Sequence, residues 1–150
     1  MPHKVSLYLD TSVPNALFRM PEDRKEATSL FFQETAPKHE VFISELVVGE
    51  IEATPDNAHR TRLLNSVKNL SVLSVSVEAE KLADEYLKYI KIPKADAIHI
   101  AISTVEGVDY LVTWNMEHMA KERTRRIVDN INFLCELSRL YIVTPKDFFD

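Results

Sequence analysis

Carboxylates stand at three places in this 150-residue chain from which a fold could bring them together. Asp10 directly follows the apolar run VSLYL, Glu50 lies in ELVVGEIE, and Asp96 lies in KADAIHIA. Carboxylates that lie close together resist joint ionisation unless they share a proton or a cation. Such oxygen ligands suit a hard cation, Mg²⁺ or Mn²⁺, and a dication held in this way can activate water against a phosphodiester bond. The three acids therefore indicate a metal-dependent nuclease.

Four uncharged polar residues could support such a site. Thr11 and Ser12 come directly after the first acid, and Thr113 and Asn115 stand at the end of the apolar run DYLVTW and just beyond it. Hydroxyl groups can donate to a carboxylate or to a metal-bound water, whereas Asn115 offers an amide oxygen without charge. Each of these residues is equally typical of turns and helix caps. The nuclease hypothesis therefore depends on the combination of residues.

The hydrophobic pattern predicts strands and helices in alternation. This alternation implies parallel strands joined by helical crossovers, hence a single domain over 1–150 built as a three-layer α/β/α sandwich around a parallel sheet of about five strands. Ligands of such open sheets bind beyond the carboxyl ends of the strands, where the polar residues above are expected. The predicted strands are 5–9, 40–44, 71–76, 109–114 and 141–145, and the predicted helices are 15–20, about 21–37, 45–54, 56–70, 77–90, 92–107 and 122–140.

Composition narrows the class of protein further. Only two glycines are present, which argues against Gly-rich phosphate loops of the P-loop or Rossmann type. The single cysteine, Cys135, lies in the apolar run INFLCEL and is expected to be buried. No apolar run reaches the roughly 18 residues of a membrane span, so a cytoplasmic protein without a membrane anchor is expected.

The net charge of −5 is unusual for a protein that binds nucleic acid, because such proteins usually carry a basic excess. Local basic surfaces are nevertheless possible, since charge distribution matters more than its sum. Two clusters could supply them, one with Arg19, Arg24 and Lys25 and the other with Lys121, Arg123, Arg125 and Arg126.

The motifs YLDTS, ISELVVGEIE, KADAIHIAIS, DYLVTWNMEHM and VTPKDF resemble, in order and spacing, a small VapC-like member of the PIN-domain family. The resemblance runs over nearly the whole chain and implies a ribonuclease that uses Mg²⁺ or Mn²⁺, typically as the toxin of a toxin–antitoxin pair. It implies Asp10, Glu50 and Asp96 as metal ligands and catalytic residues. Asn115 is implied as a fourth site residue, at a position where many members carry aspartate. A homodimer and a small antitoxin partner are also implied, with RNA as substrate.

Three ring residues near these motifs have both structural and functional interpretations. His99 follows Asp96 by three residues and is expected to be a packed histidine or one that supports a ligand. Trp114 could stack on a base, although its place at a strand end favours packing. His118 could meet RNA or cap a short helix.

Alternative functions come from other proteins with an aspartate at a strand end. Haloacid dehalogenase-type phosphatases need a second aspartate two positions after the first, where this chain has Ser12. Flavodoxin-like and receiver domains lack the helix-borne pair of Glu50 and Asp96. A PIN-like interaction module with an impaired metal site, which acts by binding a partner, stays open because of Asn115 and the acidic net charge.

Overall fold

Five strands and seven α-helices alternate along residues 4–149, the part of the chain that the computed structural model describes. None of the helices in this range has the length and apolar character needed to cross a membrane. The strands are β1 (Ser6–Leu9), β2 (Glu40–Ser44), β3 (Ser71–Leu73), β4 (Tyr110–Val112) and β5 (Tyr141–Val143). The helices are α1 (Ser12–Ala16), α2 (Glu22–Leu30), α3 (Glu45–Glu52), α4 (Asn57–Val67), α5 (Val77–Leu87), α6 (Lys94–Val105) and α7 (Glu122–Leu134).

The strands form one all-parallel sheet in the order β3-β2-β1-β4-β5. Helix α1 packs against α2 and α4, and α3 packs against α4, whereas α5 packs against α6 and α7. These two groups form the outer layers, as right-handed crossovers require when the chain runs from β1 towards β3 and then returns to β4 and β5. The predicted three-layer sandwich with five parallel strands is thereby confirmed.

The middle of the sheet is where the strand order reverses, since β1 lies between β2 and β4. Leu7, Tyr8 and Leu9 of β1 are completely buried, as expected for a strand covered by helices on both faces. Leu9 pairs with Val112, so β1 and β4 end side by side. In open α/β sheets this position is the usual place for a ligand site.

Predicted helix ends are confirmed at several points. Ser44 caps α3 by accepting a hydrogen bond from the Val47 amide at 3.3 Å, and Asp56 caps α4 through the His59 amide at 3.1 Å. Gly107 follows α6 with a φ of 70°, the left-handed conformation that favours glycine after a helix.

The end of α7 differs from the sequence prediction, which extended this helix to residue 140. The helix ends at Leu134, and Glu136 adopts a φ of 57°, which stops helical continuation. Cys135 is exposed, so the prediction of a buried cysteine was wrong. Its apolar neighbours Phe133 and Leu134 are likewise 71% and 82% exposed, because α7 turns a different face, with Val128 at its centre, towards the core.

Other boundaries differ by a few residues. Helix α1 begins at Ser12 rather than near residue 15, with Pro14 in its first turn, where a missing N–H costs no hydrogen bond. Strand β3 ends at Leu73 instead of residue 76. The second predicted helix continues past α2 through a π-helical turn (Phe31–Thr35) and a 3-10 turn (Ala36–Lys38), so Pro37 does not end it abruptly.

A buried polar cluster joins α5, α6 and α7. The Tyr86 hydroxyl contacts Asn132 Oδ1 at 2.6 Å and Thr104 Oγ1 at 3.1 Å.

We expect Tyr86→Phe to lower the free energy of unfolding by about 1–3 kcal/mol, because the buried Asn132 oxygen loses its donor. Urea unfolding measures this change, with Tyr89→Phe, at an exposed residue just after the end of α5, as the control. Equal stability of the two variants would contradict a stabilising role for the cluster.

Candidate active site

Asp10 leaves the end of β1 and is only 3% exposed. Its Oδ1 accepts a hydrogen bond from Ser12 Oγ at 2.5 Å, and its Oδ2 accepts one from Thr113 Oγ1 at 2.8 Å. The first donor comes from α1 and the second from the end of β4. Both oxygens of the Asp10 carboxylate are therefore oriented by residues that directly follow β1 and β4.

The segment after β4 is joined to the segment after β1 by further hydrogen bonds. The Trp114 amide donates to Ser12 Oγ at 2.9 Å, and Ser12 Oγ lies 3.3 Å from Thr113 Oγ1. Within the segment after β4, the Asn115 amide donates to Thr113 Oγ1 at 2.9 Å. The Trp114 ring is largely buried, and its Nε1 donates to Thr28 Oγ1 at 2.8 Å, so the indole packs as the sequence favoured. These bonds hold the two strand ends in one fixed arrangement.

Asp96 lies in the first turn of α6 and is partly buried. Its Oδ2 accepts a hydrogen bond from Asn115 Nδ2 at 3.1 Å. The Asn115 Oδ1 in turn accepts from the His118 amide at 2.9 Å. Asn115 thus orients a site carboxylate with its amide nitrogen and caps the turn that follows with its oxygen.

Glu50 reaches the site from α3. Its Oε1 accepts a hydrogen bond from Thr11 Oγ1 at 2.5 Å and lies 3.0 Å from His99 Nε2. The imidazole of His99 is 2% exposed, whereas the Glu50 side chain is 36% exposed. Glu50 is therefore anchored at one oxygen by a buried partner, while the rest of its side chain stays partly exposed.

Tyr8 is a site residue that the sequence reasoning missed. Its hydroxyl lies 2.7 Å from His99 Nδ1 and 2.7 Å from Ser44 Oγ, below the carboxylates and out of contact with solvent. Burial raises the pKa of the Tyr8 hydroxyl, which stays protonated. A tyrosine within an apolar strand is typical of a core, so no local sequence signal distinguishes this role.

The three carboxyls differ in their ionisation. Burial raises the pKa of Asp10 above its usual value, and the charge of His99 and the two hydroxyl donors only partly offset this. Burial also raises the pKa of Asp96, against the opposing charge of His99, and the charge of Glu50 adds to it. Burial acts on Glu50 as well, but the hydrogen bonds from His99 and its hydroxyl donor outweigh it, so the pKa of Glu50 is lowered. Ionising all three groups together is thus unfavourable without a cation.

The donor set suits a hard dication in its chemistry. Asp10 accepts one hydrogen bond at each oxygen, and within residues 4–149 the Asp96 Oδ1 and the Glu50 Oε2 accept none, so every carboxylate keeps acceptor capacity. No group of three or more His, Cys, Asp or Glu side chains in the same range lies close enough together to form a complete metal cage. This arrangement fits Mg²⁺, which proteins often hold through one or two carboxylates and several waters.

The structure places all the predicted site residues along one edge of the sheet. The acids Asp10, Glu50 and Asp96 enter from β1, α3 and α6, and Asn115 enters from the segment after β4. The three predicted supporting hydroxyls each donate to a carboxylate. Their individual roles in catalysis or metal binding stay predictions.

Comparison with known proteins gives related structures and one family. Among solved structures, VapC20 of Mycobacterium tuberculosis, a sarcin-ricin loop cleaving toxin, has a TM-score of 0.59 at 19% identity, covering 74% of this chain and 91% of its own. A toxin–antitoxin complex from Klebsiella pneumoniae has a TM-score of 0.60 at 17% identity, with coverage of 79% and 93%. VapBC2 from Rickettsia felis, bound to a DNA fragment from its promoter, has a TM-score of 0.56 at 15% identity, with coverage of 93% and 98%.

At these sequence identities the solved structures establish a likeness of fold alone. A search of curated proteins found no significant match. The sequence model of the PIN domain matches residues 7–121, which include β2, β3, β4, all but the first residue of β1, and all four polar site segments. The chain therefore belongs to the PIN domain family.

Proposed function

We propose that this protein is a metal-dependent endoribonuclease that hydrolyses RNA phosphodiester bonds with Mg²⁺ or Mn²⁺, and that it acts as the toxin of a toxin–antitoxin pair. The observation that carries the proposal is that Asp10, Glu50 and Asp96 all lie at the carboxyl edge of the parallel sheet, each oriented by a polar neighbour. Membership of the PIN domain family supports it, and so do solved relatives that include an RNA-cleaving toxin.

In this proposal Asp10, Asp96 and Glu50 would hold the ion. When bound, the dication would activate a water and offset charge on the leaving oxygen of the phosphodiester. The protein itself supplies orientation, through Ser12 and Thr113 at Asp10 and through Asn115 at Asp96. Glu50, with its lowered pKa, stays ionised at neutral pH and can accept a hydrogen bond from the attacking water.

The proposed partners follow from the same family. The solved relatives include VapBC complexes, so a small antitoxin protein is the proposed binding partner. A cationic antitoxin side chain placed among the carboxylates would satisfy them without a metal. A homodimer in the cytoplasm is proposed for the toxin itself.

A second candidate function is a PIN-like interaction module with an impaired metal site. It is favoured by Asn115, which brings no charge, and by the lack of a complete three-ligand metal cage within residues 4–149. Cleavage of structured RNA separates the two candidates. The nuclease proposal predicts cleavage with Mn²⁺ that stops when a chelator is added, whereas RNA or partner binding without any cleavage would favour the interaction module.

Metal binding can be measured independently of cleavage by thermal unfolding. Saturating Mn²⁺ at about 100 times its dissociation constant should stabilise the folded protein by about 2.7 kcal/mol, which raises Tm by roughly 5–10 °C in a chain of this size. Asp96→Ala should show a much smaller rise because it loses a ligand. Asp84→Ala, at an exposed position of α5, serves as the matched control. An equal rise in Asp96→Ala and the wild type would contradict a metal site at Asp96.

A further inference from the structure

A groove of about 350 Å³ opens directly beside the carboxylates. It begins at Ser12 and Asn115, which hydrogen-bond to Asp10 and Asp96. Among the described side chains that line it, two are cationic and none is acidic. The polar and aromatic lining consists of Ser12, Asn15, Arg19, Arg24, Trp114 and Asn115.

Arg24 is held in place at the wall of this groove. Its guanidinium carbon lies 5.2 Å from the centre of the Trp114 ring. The indole is fixed in turn, since its Nε1 donates to Thr28 Oγ1, and Thr28 belongs to the same helix as Arg24. An arginine stacked on an aromatic ring loses less conformational entropy when it binds a ligand, and its planar fork suits phosphate oxygens and the faces of bases.

A larger groove of about 700 Å³ is also lined by Arg24 and Trp114. Its charges are balanced, because three acids stand among three cations. These residues are Asp23, Glu26 and Asp147, together with Arg24, Arg125 and Lys146. Within residues 4–149, only the smaller of these two grooves combines a lining without acids with residues that hydrogen-bond to the site carboxylates.

The second basic cluster of the sequence lies elsewhere. Arg123 lines two depressions near the C-terminal end of α5, and Tyr89 lines both of them as well. Arg126 lies 3.8 Å from Glu122 in an exposed ion pair. Arg125 donates from Nε to the Ile142 carbonyl and faces the charge-balanced groove. Of the two clusters, only the one with Arg19 and Arg24 borders the site.

We infer that the smaller groove binds the backbone of single-stranded RNA next to the cleaved bond, with Arg19 and Arg24 contacting phosphates and Arg24 also offering a stacking surface for a base. The inference rests on the proposed nuclease function and names the path of its substrate. An RNA-cleaving site of this kind needs cations nearby, because a cluster of carboxylates repels a phosphodiester. Two cations at the rim attract the neighbouring phosphates and so offset that repulsion.

Binding of a fluorescein-labelled single-stranded RNA of about 12 nucleotides tests the inference by fluorescence anisotropy, with chelator present to prevent cleavage. The double variant Arg19→Ala/Arg24→Ala should bind at least about tenfold more weakly at low salt. Between about 50 and 200 mM salt, its slope of log K against log salt should be shallower by about 1.4, since each lost phosphate contact on a single strand contributes about 0.7. If Arg19 and Arg24 only stabilised the fold, their replacement would not change this slope.

The matched control is Arg123→Ala/Arg126→Ala, which removes the same charge from α7, and its slope should equal that of the wild type. Arg24→Lys should keep the wild-type slope but bind more weakly, because lysine keeps the charge and loses the stacked plane. Circular dichroism and Tm establish that each variant is folded.

The outcomes separate this inference from the proposed function. The inference is wrong if the wild type cleaves RNA and the Arg19→Ala/Arg24→Ala protein binds RNA with unchanged affinity and unchanged salt dependence. The groove would then be a candidate binding site for a protein partner. A loss of slope in the Arg123→Ala/Arg126→Ala protein instead would place the RNA on α7 and also overturn it. If the wild type neither binds nor cleaves RNA, the proposed function fails and this inference fails with it.

Discussion

Asp10→Asn should reduce metal-dependent RNA cleavage by more than about 100-fold, a larger loss than the 10–100-fold typical of residues that only orient metal ligands. Asparagine has nearly the same shape as aspartate and can keep a hydrogen bond to Ser12, but it lacks the charge that a dication needs. Initial rates of RNA cleavage at saturating Mn²⁺ measure the effect. Full activity in the variant would overturn the assignment of Asp10 as a metal ligand.

The same substitution should leave the protein folded. An almost completely buried carboxylate opposes folding through desolvation when it ionises, and a neutral amide removes that cost. We therefore expect the Tm of Asp10→Asn, measured with chelator, to equal or exceed that of the wild type. Asp84→Asn, which changes an exposed aspartate of α5, should alter neither the rate nor the Tm and provides the matched control.

Tyr8→Phe should lower both stability and cleavage. Loss of the hydroxyl leaves His99 Nδ1 and Ser44 Oγ without their shared partner in a buried environment, which should reduce the free energy of unfolding by about 1–3 kcal/mol. His99 then no longer holds Glu50 in one orientation, so cleavage should fall by about 10–100-fold. Urea unfolding and cleavage rates, measured on one preparation, give the two values.

Tyr141→Phe is the control for this variant, since Tyr141 is half exposed and lies on the edge strand β5, which does not pair with β1. Its rate and stability should match those of the wild type. A Tyr8→Phe protein that is less stable but fully active would show that the buried hydroxyl supports the fold alone and does not position Glu50.

The sheet and its polar edge could be predicted because they follow from local patterns. An apolar strand that ends in Asp10 and another that ends near Thr113 meet at one edge whenever the strands are parallel and adjacent. Glu50 and Asp96 were less determined by local pattern, since a charged residue on a helix is usually a solvated one. Their assignment required the resemblance of the whole chain to the PIN-domain family.

The contacts beneath the carboxylates could not be predicted, because they depend on side-chain packing between distant segments. Tyr8 and His99 are 91 positions apart, and nothing in either local sequence indicates that they touch. The exposure of Cys135 has a similar cause. Its apolar neighbours suggested burial, but the direction in which α7 presents them depends on where the helix ends and on the conformation of Glu136.

The hydrogen bond from Thr113 to Asp10 spans 103 positions of the chain, and the pairing of β1 with β4 spans a similar distance. During synthesis the amino-terminal part of a chain emerges first. A ribosome-bound chain therefore carries Asp10, Glu50 and Asp96 before it carries the strand that orients Asp10. If the proposed cleavage requires the oriented carboxylate, the site becomes competent only after Thr113 has been synthesised, late in translation.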